Sequence, residues 1–168
     1  MTADDTAPDW LQTGYDSIWM PYTQMQTAPL PQAAVATRGS RITLADGREL
    51  IDGVASWWAA CHGYNHPHIV DAIQGQAAKI PHVMLAGLAN EPAFTLAARL
   101  PRLLDLPGYR AFFSESGSVA VEVALKIAAQ YWHNKGETGR KKFLSFRGGY
   151  HGDTFATMAL CDPVDGFH

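Results

Sequence analysis

Cysteine is scarce in this chain of 168 residues: only Cys61 and Cys161 are present. Two cysteines without a set spacing exclude both a disulfide framework and a thiolate zinc site. Long apolar runs are missing too, and none approaches the roughly eighteen residues that span a bilayer. The first ten residues, from Met1 to Trp10, are acidic and lack the basic-then-apolar layout of a secretion signal. The net charge is only −3 and the basic residues are scattered. With no basic stripe to follow a phosphate backbone, nucleic acid is excluded as a partner. No internal repeat and no low-complexity tract appears. Neither G-x-G-x-x-G, nor a Walker loop, nor a G-x-S-x-G elbow occurs, so nothing points to a dinucleotide, to ATP or to a hydrolase serine. His62, His66, His68 and His82 lack a consistent ligand spacing and a carboxylate partner, so no metal is expected. Together these absences describe a globular protein of a reducing compartment, expected in the cytoplasm.

Apolar residues make up 47% of the chain and charged residues 17%, which suits a packed domain and not a disordered tail. The length suffices for one ordinary domain and is short for two. Residues 1–40 carry four prolines and little periodicity, and read as an irregular arm lying on another surface. From Arg41 to Ile51 apolar residues flank Asp46-Gly47, the signal of a hairpin closed by a tight primed turn. Ser56-Trp-Trp-Ala-Ala-Cys-His-Gly-Tyr-Asn-His-Pro67 follows as an aromatic loop. Pro67 then opens a helix to about Ile80, with Ile69, Ile73 and Ala77 on one face. A further helix starts near Asn90-Glu91-Pro92, and Pro101 is expected to end or kink it.

Two later segments share one design: a short apolar strand, a glycine-containing loop, then a helix. In the first, Ala111–Ser114 is the expected strand and residues from Val119 to about Trp132 the helix. Val123, Ile127 and Tyr131 form its expected apolar line, and Glu122 and Lys126 an i,i+4 ion pair. In the second, the strand is Phe143–Phe146 and the loop runs through Gly148-Gly149-Tyr150-His151-Gly152. A crossover of this length predicts an α/β arrangement with the two strands parallel. Loops at the carboxyl ends of such strands face the same space.

The chemistry concentrates in those loops. Ser116-Gly117-Ser118 stands where a helix begins, and its free N–H groups and positive dipole end suit a phosphate. The same three residues also make an ordinary serine N-cap with a turn glycine. Tyr150 offers a flat ring for stacking on a planar group, or a core contact. Asp153 reads as the N-cap of the next helix. Of Trp57 and Trp58, one is expected in the core, and the other can wall an apolar pocket.

Trp19-Met-Pro-Tyr22, Ser56-Trp-Trp-Ala59, His62-Gly-Tyr-Asn-His-Pro67 and His82-Val-Met84 together resemble the class III pyridoxal-phosphate aminotransferases. Ser116-Gly-Ser-Val-Ala-Val-Glu122, Gln130-Tyr-Trp132, Gly149-Tyr-His-Gly-Asp-Thr154 and Cys161-Asp-Pro163 extend the likeness. The Trp-Trp pair, Ser-Gly-Ser-Val-Ala-Val-Glu and Tyr-His-Gly-Asp-Thr point to the branch of the family that serves biotin biosynthesis. Departures from the pattern fall at Met20 and in Leu85-Ala-Gly-Leu-Ala-Asn-Glu-Pro92. The resemblance implies a fold type I transferase, with residues 1–40 as N-terminal arm and 41–66 as a hairpin and aromatic loop of the small-domain region. Residues 67–168 are then the first part of the large cofactor-binding domain, with its parallel-type sheet.

It further implies that Gly117 and Ser118 bind the phosphate of pyridoxal 5'-phosphate and that Tyr150 stacks on its ring. Trp57, Tyr150 and Tyr22 would contact substrate. The implied reaction is a ping-pong transfer of the amino group of S-adenosylmethionine to 8-amino-7-oxononanoate, giving 7,8-diaminononanoate, in a homodimer. Such an enzyme needs a lysine that holds the cofactor covalently. Lys79, Lys126, Lys135, Lys141 and Lys142 do not match the family's lysine motif, which is expected downstream, so the chain reads as an N-terminal fragment that is inactive alone. Two rival readings remain. One is a class III transaminase for ω-amino acids or diamines, and the other is a non-catalytic cofactor-binding module.

Overall fold

The computed structural model describes residues 7–161. Residues 1–6 and 162–168, which include Asp162 and Pro163 of the resemblance, lie outside the described residues. The chain divides into two compact units, residues 1–88 and 89–168.

The first unit is built on a three-stranded antiparallel sheet in the order β1-β2-β3, with β1 Ala34–Arg38, β2 Arg41–Leu44 and β3 Glu49–Ile51. A short helix, α1 Asp9–Tyr15, precedes it. The first forty residues are therefore not uniformly irregular, as the sequence suggested. They contain a helix, and a strand that completes the sheet. Low periodicity hid β1 because its residues are small and mostly exposed, so no alternation of burial marks them. The β2–β3 hairpin is where the sequence placed it, but its turn differs. Gly47 N–H donates to the Leu44 carbonyl at 3.0 Å and Leu44 N–H to the Arg48 carbonyl at 2.9 Å, closing a three-residue loop. Gly47 alone takes a positive φ, of 86°, as the three-residue hairpin with a glycine bulge requires. Asp46 has no need of one. Its carboxylate accepts from Arg48 N–H at 3.0 Å and from Arg48 Nε at 2.7 Å, which locks the loop from outside.

After β3 comes α2, Ala55–Trp58, a single turn wound left-handed, and then α3 Pro67–Lys79 with Pro67 in its first turn. Pro67 has no N–H to leave unsatisfied, and its fixed φ matches the helix, so the start agrees with the sequence reading.

The second unit is helical: α4 Glu91–Leu103, α5 Gly117–Asn134 and α6 Phe155–Ala159. Asn90 caps α4 by accepting from Ala93 N–H at 3.1 Å. Pro101 neither ends nor breaks α4, which runs on to Leu103. A proline in the last turn removes one intrahelical bond, and the chain closes with Leu104 N–H on the Leu100 carbonyl.

The paired parallel strands expected at Ala111–Ser114 and Phe143–Phe146 are not formed among the described residues, and both segments lack regular structure. Phe112, Phe113, Phe143, Leu144 and Phe146 are all exposed. An apolar run of this kind records a strand that wants cover on both faces. It does not supply the neighbour whose N–H and C=O groups make the ladder, and strands consecutive in the chain need not be adjacent in a sheet.

α5 also differs from its expected face. Of the expected line Val123 is partly covered, as are Val121, Leu125, Ala128 and Trp132, while Ile127 and Tyr131 are exposed. Apolar residues surround the helix, so no single line could be read from spacing alone. Glu122 turns from Lys126 towards Thr154, whose hydroxyl donates to Oε2 at 2.7 Å. No helix among the described residues is long and apolar enough to cross a membrane.

Candidate functional site

Ser116 is the N-cap of α5, its hydroxyl accepting from Val119 N–H at 3.1 Å. That bond satisfies the third N–H of the helix and leaves those of Gly117 and Ser118 without an intrahelical acceptor. A Cβ at Gly117 would meet nothing within 4 Å, so there is open space beside Gly117 at the positive end of an eighteen-residue helix. The serine cap thus takes one N–H and leaves the other two without an intrahelical partner, a geometry that suits an anion.

Ser118 ties this end of α5 to the loop that carries Tyr150. Its Oγ accepts from Asp153 N–H at 3.0 Å, which leaves the hydroxyl proton able to donate elsewhere. Gly152 packs against the same residue so closely that an added Cβ would lie 2.0 Å from Ser118 Oγ and 2.7 Å from Ser118 Cα. Gly152 also has φ +118°, so both space and backbone demand glycine. One turn along α5, the Glu122–Thr154 bond makes a second tie. Thr157 Oγ donates to the Thr154 carbonyl at 2.8 Å, its oxygen lies 2.9 Å from the Thr154 hydroxyl, and Thr157 is completely buried. Gly152, Thr157 and Cys161 are all buried, which makes this junction the best-packed part of its unit.

Tyr150 is 54% exposed and therefore not a core residue. Its hydroxyl donates to Asp153 Oδ1 at 2.9 Å. Asp153 is consequently not the N-cap of α6. Thr154 holds that position, and the Asp153 carboxylate is turned to Tyr150. His151, beside Tyr150, has a buried Nε2 with no partner among the described residues.

The other aromatic residues gather in the first unit. Tyr22 and Trp57 meet edge to face, with ring centroids 5.6 Å apart and planes at 78°. Trp57 and Trp58 are both well exposed, so neither packs in a core. Their backbone is unusual. Ala55, Ser56, Trp57 and Trp58 have φ of 49°, 46°, 56° and 72°, and Tyr22 has φ 51°. A left-handed conformation costs a non-glycine residue roughly 1–2 kcal/mol, and four in succession require something that holds them there.

Asp52 is that holder. Its Oδ1 accepts from Val54 N–H at 3.1 Å, and its Oδ2 accepts from Ser56 Oγ at 3.0 Å and from the Tyr64 hydroxyl at 2.5 Å. Ser56 Oγ and the Tyr64 hydroxyl also lie against each other, so their two protons are shared among the three contacts of this ring. The Tyr64 bond foremost, then the Val54 and Ser56 donors, hold the Asp52 carboxyl below the usual carboxylate range. The Asp52 carboxylate in turn pushes the Tyr64 phenol above its ordinary value. Both groups are anchored on the sheet: Asp52 N–H donates to the Ser40 carbonyl at 2.9 Å, and Tyr64 exchanges two backbone bonds with Gly39, of 3.0 and 2.7 Å.

The structure thus brings Ser118 and Tyr150 together through Gly152 and Asp153, and Tyr22 together with Trp57. The sequence reading missed Asp52, Tyr64, Gly152 and Thr157. Only Asp52 left a trace, because Asp-Gly-Val is a sequence in which a carboxylate accepts from the N–H two residues on.

The family model for aminotransferase class-III matches residues 22–168. The adenosylmethionine-8-amino-7-oxononanoate aminotransferase of Synechococcus elongatus is 51% identical over 143 residues, covering 85% of this chain and 34% of that protein. The crystal structure of the enzyme of that name from Methanocaldococcus jannaschii superposes with a TM-score of 0.82 at 35% identity, covering 89% of this chain and 35% of that one. An amine transaminase from an uncultivated Pseudomonas species, solved in a PLP-bound form, has a TM-score of 0.78 at 35% identity, covering 86% of this chain and 33% of that one. The chain spans about a third of the length of the curated relatives it matches. The expected fold type I architecture is therefore present, although the parallel ladder is not formed among the described residues. On these matches the chain belongs to the class-III aminotransferases.

Proposed function

We propose that the chain forms part of a pyridoxal-phosphate-dependent transaminase of biotin biosynthesis. In the whole protein it would serve the transfer of the amino group of S-adenosylmethionine to 8-amino-7-oxononanoate, giving 7,8-diaminononanoate by a ping-pong scheme. The observation that carries this reading is the Ser118–Gly152–Asp153–Tyr150 linkage, which joins two unengaged helix N–H groups to an exposed aromatic ring. A phosphorylated planar cofactor needs that combination, and the names of relatives up to 51% identical support the substrates.

The bound cofactor would supply an electron sink for the carbon that exchanges the amino group. The residues of this chain bind and orient. Gly117 and Ser118 N–H groups take the phosphate, with the Ser118 hydroxyl as a further donor. Tyr150 stacks on the ring, and its bond to Asp153 fixes the ring's rotation. Trp57, Tyr22 and Tyr150 border the substrate and exclude water from it. The lysine that holds the cofactor covalently lies outside this chain in this reading, since Lys79, Lys126, Lys135, Lys141 and Lys142 do not match the family's lysine motif. We place residues 1–40 as an arm, 41–66 as the hairpin and aromatic loop, and 67–168 as the first part of the large domain, in a cytoplasmic homodimer.

The test is the protein expressed from its complete reading frame and supplied with S-adenosylmethionine as sole amino donor. Formation of 7,8-diaminononanoate, detected by mass, is expected. Failure with that donor alongside good turnover of alanine or a diamine would overturn the assignment. It would favour the second reading, an amine transaminase, which the 35% identity to the Pseudomonas enzyme keeps in play.

A further inference from the structure

We infer that Asp52 is a positioning residue for substrate recognition: it clamps the left-handed turn Ala55–Trp58 and thereby sets Trp57 against Tyr22. The inference rests on the reading above in assigning Trp57 and Tyr22 to the substrate, while the clamp itself stands on geometry alone. Four successive left-handed residues will not persist unaided, because each L side chain crowds its own backbone there. Among the described residues, Asp52 is the carboxylate that holds the start of the turn, with Oδ1 at Val54 N–H just before it and Oδ2 at Ser56 Oγ within it. Tyr64 closes the ring of bonds from the far side of the loop.

The anchors make the arrangement directional. Asp52 is tied to Ser40 and Tyr64 to Gly39, the two residues that link β1 to β2, so both ends of the clamp stand on one rigid corner of the sheet. Asn65 adds a third tie, its side-chain amide donating to the Thr37 carbonyl on β1. A Cβ at Gly63 would meet the Gly39 carbonyl oxygen at 3.2 Å, so the chain passes that corner closely before it reaches Tyr64. The turn has no comparable support of its own: Trp57 and Trp58 are exposed, and the bonds Trp58 N–H to Val54 and Ala60 N–H to Ala55 are local. Strain sits in the turn and the force that maintains it comes from Asp52. The position of the Trp57 ring, and the 5.6 Å edge contact with Tyr22, follow from that force.

The experiment uses the protein from its complete reading frame, with Asp52→Asn, Tyr64→Phe, and Asp52→Asn combined with Ala55→Gly and Ser56→Gly. Asp52→Asn is expected to raise KM for 8-amino-7-oxononanoate about tenfold, equivalent to about 1.4 kcal/mol, with kcat and cofactor absorbance little changed. The emission assigned to Trp57, by difference from a Trp57→Phe background, should shift in the same variant. Tyr64→Phe, which keeps the Val54 and Ser56 bonds, should shift both readouts the same way by less. The two glycines occupy the left-handed region without strain, so they should return KM and emission towards the starting values despite the lost clamp.

Unchanged KM and unchanged emission in Asp52→Asn would overturn the inference. So would a parallel fall in kcat and cofactor content without a change in KM, or a failure of the glycines to restore either readout. If Asp52→Asn does not fold, Tyr64→Phe carries the same decision. An unmodified protein inactive with this substrate pair would sink the proposed function instead, and the emission series would still judge the clamp.

Discussion

The α5–α6 junction and the Asp52 clamp solve the same problem, holding an exposed aromatic ring in place, by opposite means. Tyr150 is placed by close packing. Gly152 lies against Ser118, Thr157 is sealed beneath, and two side-chain bonds one turn apart on α5 fasten the loop. Trp57 is placed by strain that a single carboxylate restrains, with little buried around it. A packed junction suffers more from added volume than from loss of one hydrogen bond. A clamped turn tolerates volume but not loss of its one acceptor.

The most damaging change should therefore be one that adds an atom to the junction. Gly152→Ala introduces a Cβ 2.0 Å from Ser118 Oγ at a positive φ, and is expected to destabilise the expressed protein by about 3 kcal/mol. Denaturant unfolding measures the loss, and a change below the error of that method would show that the junction yields where it is described as rigid.

Glu122→Ala should come next, since it strips the part-buried Thr154 hydroxyl of a charged acceptor, at about 2 kcal/mol. The same unfolding series, with Glu122→Gln recovering most of the effect, separates the hydrogen bond from the mere presence of a side chain. Ser116→Ala removes the α5 cap and should cost about 1 kcal/mol. Because it also frees a third N–H at the cup, cofactor retention during dialysis should fall less than stability does.

The smallest effect should be a pH dependence confined to the clamp. Asp52 is held below its ordinary value of 3.8, so its contribution is present above that value and is lost as pH falls through the lowered one. Tyr64 is raised above 10.0, so its contribution is present below that value and is lost as pH rises through the raised one. Trp57 emission should be flat between those limits and change outside them. A transition near neutrality would mean that some group other than Asp52 holds the turn.

Features governed by neighbours in the chain were legible from the residues alone. Pro67 at a first turn, Asn90 and Ser116 as caps, and Gly47 as the turn glycine each act within four residues of themselves, where backbone sterics decide. Local reasoning failed where a competing partner lay farther off. Asp153 looked like a cap, but the Tyr150 hydroxyl took its carboxylate. Glu122 looked paired to Lys126, but Thr154, thirty-two residues away, took it instead. The Phe-rich segments at 111–114 and 143–146 announced strands without naming their neighbours.

By itself, then, the sequence determined the family, the starts of α3 and α4 and the two loops that carry Gly117, Ser118 and Tyr150, because short-range sterics and motif spacing are written in consecutive residues. Only the tertiary structure decided that Gly152 must lie against Ser118, and that Asp52, Ser56 and Tyr64 converge at the start of the turn that carries Trp57. Those contacts join segments whose separation in sequence says nothing about their separation in space, and their energies arise from the closeness that folding alone creates.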